Sequence, residues 1–256
     1  MASSCMTRSA RLSVSLMDEL PAVCILAGGR GTRLGDLASE VPKPLLLVGG
    51  EPFLMHQLRL LSKHGIGRVV LSVGYLGDLI ERTIGPERFG ISIDYSYDGA
   101  HLVGTLGAIR QALPLLGSPF LVLYGDTFLR LDYRAAWSRW QQSGRPAMMA
   151  VLRNEGRWDS SNAVFHDGVV VRYDKYNSTP GMQWIDYGLG GLTEQALARC
   201  DDDVSDIAML YQRLAEHEEL FGFEATERFF EIGTPQALRE TDSFLRSHNN
   251  SDAVSA

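Results

Sequence analysis

The chain has 256 residues, 45% of them hydrophobic and 21% charged, enough to bury the core of one large domain or two small ones; one domain is expected. A net charge of -7 argues against a protein that lays a basic face on nucleic acid or a membrane surface, so a phosphate ligand must be met by locally concentrated cations. Three widely spaced cysteines, Cys5, Cys24 and Cys200, make no C-x-x-C pair or Cys/His metal cluster and fit a reducing, cytoplasmic setting, and no apolar run approaches the roughly eighteen residues of a membrane span.

Residues 1–20, with Arg8 and Arg11 among serines, have too short an apolar stretch for a secretory signal and read as a poorly ordered leader. From residue 21 onward, short runs at 22–26, 68–73, 91–97 and 120–124 are rich in β-branched and aromatic residues and predict buried strands. Helices are expected between them. At 52–64, Leu54, Leu58 and Leu61 recur at i, i+4 and i+7 between an opening proline and Gly65, and 76–84 and 105–113 make two more. This alternation predicts an α/β fold with a largely parallel sheet covered on both faces. Beyond about residue 145 come strands at 147–152, 162–165, 169–173 and 182–190, expected to add antiparallel pairings over the open end. Two helices, 206–217 and 235–248, enclose a strand pair at 220–224 and 228–232, and 249–256 reads as a tail.

The first strand runs into "AGGRGTRLGDLASEVPKPL", residues 27–45. Ligands of open parallel sheets sit at the carboxyl ends of the strands, and the loop after the first strand is the usual phosphate cradle. Gly28, Gly29 and Gly31 free the backbone N–H groups to approach a phosphate, while Arg30, Arg33 and Lys43 bring cations to an acidic chain. Gly29, Gly31 and Gly35 give G-x-G-x-x-x-G, not the dinucleotide fingerprint, and no G-K-[ST] of a P-loop follows.

The stretch "LAGGRGTRLGDLASEVPKPLL" resembles the signature of the sugar-phosphate nucleotidyltransferases, G-x-G-T-R-[LM] followed by P-K-P, with Asp36 where proline is frequent. The likeness extends from residue 21 to about 245, with motifs in the family's order, and is nearest to its short members of the heptose 1-phosphate guanylyltransferase type. It implies a Rossmann-like three-layer sandwich with a mostly parallel mixed sheet, the nucleotide-diphospho-sugar transferase fold. One domain would span 21–247, with a nucleotide-binding half at about 21–145, a sugar-binding half at about 146–233 and a closing helix at 235–248. The implied reaction joins a nucleoside triphosphate, GTP for this type, to a sugar 1-phosphate with loss of pyrophosphate, using Mg2+.

Residue by residue, the resemblance gives the nucleotide to Leu26, Ala27, Gly28, Gly29, Arg30, Gly31, Thr32, Arg33 and Lys43, and the base to Gly104 and Thr105 in "YSYDGAHLVGTLGAI". Leu106 there replaces a small residue and implies a differently shaped base pocket. Asp126 in "FLVLYGDTF" matches the family's metal-holding aspartate, and Glu231 in "FFEIGTPQAL" stands where a second aspartate is usual. Arg33, Lys43, Asp126 and Lys175 are the expected catalytic groups, Lys175 matching the lysine on the sugar phosphate. Gly125, Asn162, Lys175, Asp186, Tyr187 and Gly188 are the expected sugar-site residues. Trp158 is expected in the core rather than on a sugar, and none of the six histidines has metal-ligand spacing. A uridylyl- or cytidylyltransferase, or an inactive nucleotide-sugar-binding regulator suggested by Glu231, stays open, and so does the choice between monomer and homo-oligomer.

Overall fold

The computed structural model describes residues 20–38, 40–99 and 103–254; the expected leader up to residue 19, and His101, lie outside them. Strand β1 (Val23–Leu26) runs into the glycine loop, a tight helical stretch Thr32–Ala38 and a single turn Lys43–Leu45. A small hairpin, β2 (Leu47–Val48) and β3 (Glu51–Pro52), leads to α1 (Phe53–Lys63). The first half continues with β4 (Arg68–Val73), α2 (Gly77–Ile84), β5 (Glu87–Arg88), β6 (Ile91–Tyr97), α3 (Gly104–Leu116), β7 (Phe120–Tyr124), β8 (Thr127–Phe128) and α4 (Tyr133–Ser143). The second comprises β9 (Ala147–Arg153), β10 (Ala163–His166), β11 (Val169–Tyr173), β12 (Trp184–Leu192), α5 (Glu194–Leu197), α6 (Ile207–Glu216), β13 (Leu220–Ala225), β14 (Phe230–Glu231) and α7 (Pro235–Val254), which continues past the expected end at 248.

Ten strands form one sheet in the order β10-β11-β13-β9-β12-β7-β1-β4-β6-β5. The β7-β1-β4-β6 block is parallel, whereas β12 runs antiparallel to both β7 and β9. The result is a mixed, mostly parallel sheet between two helical layers. Side-chain alternation along β1 builds both layers: Val23 and Ile25 join Leu54, Leu58, Leu61 and Ile80 on one face, and Cys24 joins Ile109, Leu210 and Leu214 on the other. Among the described residues no helix is long and apolar enough to cross a membrane.

Two local expectations change. The segments at 220–224 and 228–232 are strands but not partners: β13 lies parallel to β9 in the large sheet, and β14 pairs with β8 in a separate two-stranded ribbon. The helix α4 gave too thin an apolar stripe to be foreseen, since it buries only Tyr133, Ala136 and Trp140. Its ends are defined chemically, by Asp132 accepting from the Ala135 N–H and by Gly144 in the left-handed conformation. Trp140 then fills the face of β12 at Gly191, where an added Cβ would stand 2.5 Å from its ring.

Candidate active site

The carboxyl ends of β1, β4, β6 and β7 open into a cleft of about 250 Å3. Leu26, Ala27, Gly28, Gly29, Lys43, Gly104, Thr105, Gly125 and Asp126 all line it, and Arg30, Thr32 and Arg33 follow as exposed residues of the same loop. The loop glycines serve different ends. Gly31 takes φ 65°, which favours glycine, whereas Gly28 allows close approach: a Cβ there would lie 2.9 Å from Asp98 Oδ2 and 3.2 Å from the Gly74 nitrogen. Gly125 brings the end of β7 against β1, its N–H donating to the Leu26 carbonyl at 3.0 Å. A Cβ on it would meet that oxygen at 2.7 Å.

Asp126 follows directly. Its Oδ2 accepts from Lys43 Nζ at 2.8 Å, a partly buried pair that ties the P-K-P turn to the end of β7. Gln57, buried on α1, holds the same loop by donating Nε2 to the carbonyls of Tyr124 (2.9 Å) and Thr127 (2.8 Å). Because β14 pairs with β8, Glu231 lies opposite Thr127, and the Ile232 N–H donates to the Asp126 carbonyl at 3.0 Å. Burial raises the Glu231 carboxyl above its ordinary range and the Asp126 charge adds to this, against Arg33 and Lys43. Glu231 therefore sits within electrostatic reach of Asp126. No group of three or more His, Cys, Asp or Glu able to hold a metal occurs among the described residues. Two carboxylates nonetheless suit Mg2+, which keeps several waters and uses one or two carboxylates with substrate phosphates.

Apart from Gly125, which lines this cleft, the expected sugar residues lie on or beside the adjoining strands: Asn162 just before β10, Lys175 just after β11, and Asp186, Tyr187 and Gly188 on β12. Asn162 Oδ1 accepts from the Asp186 N–H at 2.9 Å, and Asp186 Oδ1 accepts from the Gly188 N–H at 2.9 Å, where β12 bulges and Gly188 takes φ 101°. Burial pushes the Asp186 carboxyl up to about 6, with the Gly188 N–H and Lys175 opposing. Tyr187, the next residue, points to the other face: its ring is buried against Phe229, its hydroxyl donates to the Arg130 carbonyl, and it is a core residue. Strand alternation is the reason. Leu106 likewise is fully buried with Cys24 and Ile109 rather than lining the cleft, so its size acts on the core. Trp158 is 38% exposed with the Arg228 guanidinium 4.3 Å from its ring centre, not core as expected.

Lys175 is engaged with Asp206. Oδ2 of Asp206 accepts from Lys175 Nζ at 3.1 Å and from Tyr176 Oη at 2.6 Å, while Oδ1 accepts from Thr105 Oγ1 at 3.2 Å and caps α6 through the Ala208 N–H at 3.0 Å. Burial works against its charge, but the bonds from Tyr176, Ala208 and Lys175 hold its carboxyl below the usual range. One carboxylate thus joins Thr105, on the cleft, to Lys175, on the far side. Arg110 fixes the preceding loop by donating to the carbonyls of Cys200, Asp201, Asp202 and Val204.

Neither Gln57 nor Asp206 was singled out from the sequence. Gln57 left a signal, a polar residue three positions after Leu54 on an apolar helix face. The role of Asp206 did not, because its partners lie about a hundred residues earlier, at Thr105, and about thirty residues earlier, just after β11.

Known proteins share this chain's sequence pattern and fold. The model of the family described as nucleotidyl transferase matches residues 22–162. The chain is 30% identical to the D-glycero-alpha-D-manno-heptose 1-phosphate guanylyltransferase of Aneurinibacillus thermoaerophilus over 88% of its own length and 98% of the relative's. It is 43% identical over 115 residues, 44% of this chain and 50% of the relative, to the N-acetylmuramate alpha-1-phosphate uridylyltransferase of Neisseria meningitidis. The crystal structure of HddC from Yersinia pseudotuberculosis complexed with GMP-PN superposes with a TM-score of 0.72 at 25% identity, covering 88% of this chain and 99% of that one. The sandwich is thus the Rossmann-like fold of nucleotide-sugar transferases, and the chain belongs to the nucleotidyl transferase family.

Proposed function

We propose that the protein joins GTP and a heptose 1-phosphate to give a nucleotide sugar and pyrophosphate. An oxygen of the sugar phosphate attacks the α-phosphorus, and the bond from that phosphorus to the oxygen bridging the β-phosphate breaks. The attacking phosphate is already ionised near neutral pH, so no general base is needed. The main-chain N–H groups of residues 28–33 hold the triphosphate, and Arg33 stabilises charge gathering on the leaving pyrophosphate. Lys43 aligns the phosphates, while Asp126 and Glu231 hold Mg2+, which when bound neutralises phosphate charge. Asp186, positioned by Asn162 and Gly188, takes sugar hydroxyls, and Lys175 takes the sugar phosphate. The observation that carries the reading is the meeting of the glycine loop with the Lys43–Asp126 pair at one cleft, with Glu231 brought alongside.

The choice of GTP and heptose rests on the whole-length relative from Aneurinibacillus thermoaerophilus. The uridylyltransferase relative, more identical over a shorter span, supports UTP as the second reading. A cytoplasmic setting goes with such substrates. The test is pyrophosphate release from the purified protein with Mg2+, GTP and D-glycero-D-manno-heptose 1-phosphate. Release that needs all three supports the proposal; release with UTP alone moves it to the second reading. Nucleotide binding without release under any pairing would leave a regulatory binding protein.

A further inference from the structure

One side chain outside the cleft grips both ends of the turn that carries Asp126. Gln57, on α1, is only 2% exposed and does not line the cleft. Its Nε2 donates to the carbonyls of Tyr124 and Thr127, at 2.9 and 2.8 Å, the residues on either side of Gly125 and Asp126. A turn whose two ends are bonded to one planar amide has little room to open. Gln57 Oε1 is buried without a hydrogen-bond partner among the described residues, an unfavourable arrangement that an apolar side chain would avoid. Its neighbours on the same helix face, Leu54, Leu58 and Leu61, are fully buried leucines, so the amide at 57 is accounted for by what it donates to. The segment after Lys43 is tied to the same helix. The Phe53 N–H, opening α1, donates to the Leu46 carbonyl at 2.9 Å, and the Leu46 N–H to the Lys43 carbonyl at 3.1 Å. His56, next to Gln57 and also buried, donates Nε2 to the Val48 carbonyl at 2.7 Å. The start of α1 therefore holds both carriers of the Lys43–Asp126 pair, and it holds the Asp126 side through Gln57.

We propose that Gln57 is a positioning residue for nucleotidyl transfer: it fixes the Asp126 carboxylate that holds Mg2+ and meets Lys43. This deepens the nucleotidyltransferase reading and rests on it. Carboxylates that ligate a metal depend on the groups that orient them, and losing such a group costs about tenfold to a hundredfold in metal affinity or activity. Gln57 reaches Asp126 through the main chain of its turn. Its effect therefore falls on the metal and on the rate, and not on the grip of the glycine loop on the triphosphate or of Asp186 on the sugar.

The test compares the full-length wild type with Gln57→Met, which keeps the length of the side chain and removes both donated bonds. Gln57→Glu, which keeps the shape and can supply at most one of those bonds, is the second variant should the first not fold. Pyrophosphate release gives kcat, the KM for the sugar phosphate and the Mg2+ concentration at half-maximal rate, with GTP, or with UTP if only that is turned over. Apart from turnover, electron paramagnetic resonance gives the affinity of the protein–nucleotide complex for Mn2+, and equilibrium binding in EDTA gives the affinity for the nucleotide alone. In the variant, kcat should fall by about tenfold or more and the Mg2+ requirement and Mn2+ Kd should rise by about tenfold, while KM for the sugar phosphate and metal-free nucleotide binding change by less than about twofold. A residue that served the fold alone would lower Tm and leave these quantities in place. A folded variant with wild-type kcat or wild-type Mn2+ affinity overturns the inference, as does an equal loss of metal-free nucleotide binding. If neither variant folds, Gln57 belongs to folding and the inference falls. A wild type that binds nucleotide but releases no pyrophosphate refutes the nucleotidyltransferase reading and this inference with it; an active wild type with unaffected variants refutes this inference alone.

Discussion

Asp186→Asn should make the protein more stable as pH rises, relative to wild type, while impairing its use of sugar phosphate. The carboxyl is pushed up to about 6 in the folded chain against an ordinary 3.8, chiefly because burial disfavours its charge; the Gly188 N–H and Lys175 oppose this, and Tyr124 and the buried Tyr173 and Tyr211 stand around it. A carboxyl raised on folding favours the folded state below the unfolded pKa and loses that contribution as pH rises through the folded one. The full shift corresponds to about 3 kcal/mol, roughly half of it lost by pH 5 and nearly all by pH 7. Asp186 keeps a partial opening to solvent, which reduces the change expected between pH 5 and pH 8 to about 1 kcal/mol. Asparagine keeps an oxygen for the Gly188 N–H but does not titrate. Urea denaturation of both proteins at pH 5 and pH 8 isolates the term, because other titrations cancel in the difference. The reasoning is refuted if the stability of Asp186→Asn relative to wild type is the same at both pH values, or falls at pH 8.

Glu231→Gln should raise the Mg2+ concentration needed for half-maximal turnover by about tenfold while leaving GTP specificity alone, measured by metal titration of pyrophosphate release. Asp206→Ala removes the α6 cap and the bridge from Thr105 to Lys175. About 1–2 kcal/mol of stability should go, with a rise in KM for the sugar phosphate larger than any change in KM for the nucleotide; equal changes would deny the bridge a role on the acceptor side. Gly191→Ala sets a Cβ 2.5 Å from the Trp140 ring and should cost about 1–3 kcal/mol, lowering Tm by roughly 2–4 °C per kcal/mol.

What was legible in the sequence was what local pattern encodes. The β-branched run at 68–73 and the Leu54, Leu58, Leu61 stripe correspond to β4 and the buried face of α1, and the parallel block and its loop followed from the alternation of strands and helices. The glycine loop, Lys43, Asp126 and Gly104 were recognisable because their spacing is short and unusual. The misplacements have a common physical origin. Tyr187 and Asp186 are neighbours in sequence and opposites in space, and a motif does not say which of them turns into the core. In the 228–232 segment, Phe230–Glu231 pairs with Thr127–Phe128, which sets Glu231 opposite Thr127 beside Asp126, a contact across about a hundred residues that no local window contains.

The central claim, transfer of a nucleotidyl group to a sugar phosphate at this cleft, is tested most directly by product mass. The purified protein and its Asp126→Asn variant would be incubated with Mg2+, each of GTP, ATP, CTP, UTP and dTTP, and a panel of heptose and hexose 1-phosphates. The account predicts a GDP-sugar from wild type, with equimolar pyrophosphate, and a rate lowered by about 100-fold or more in Asp126→Asn. A wild-type protein that binds nucleotide yet forms no nucleotide sugar, or an Asp126→Asn variant as active as wild type, would contradict it.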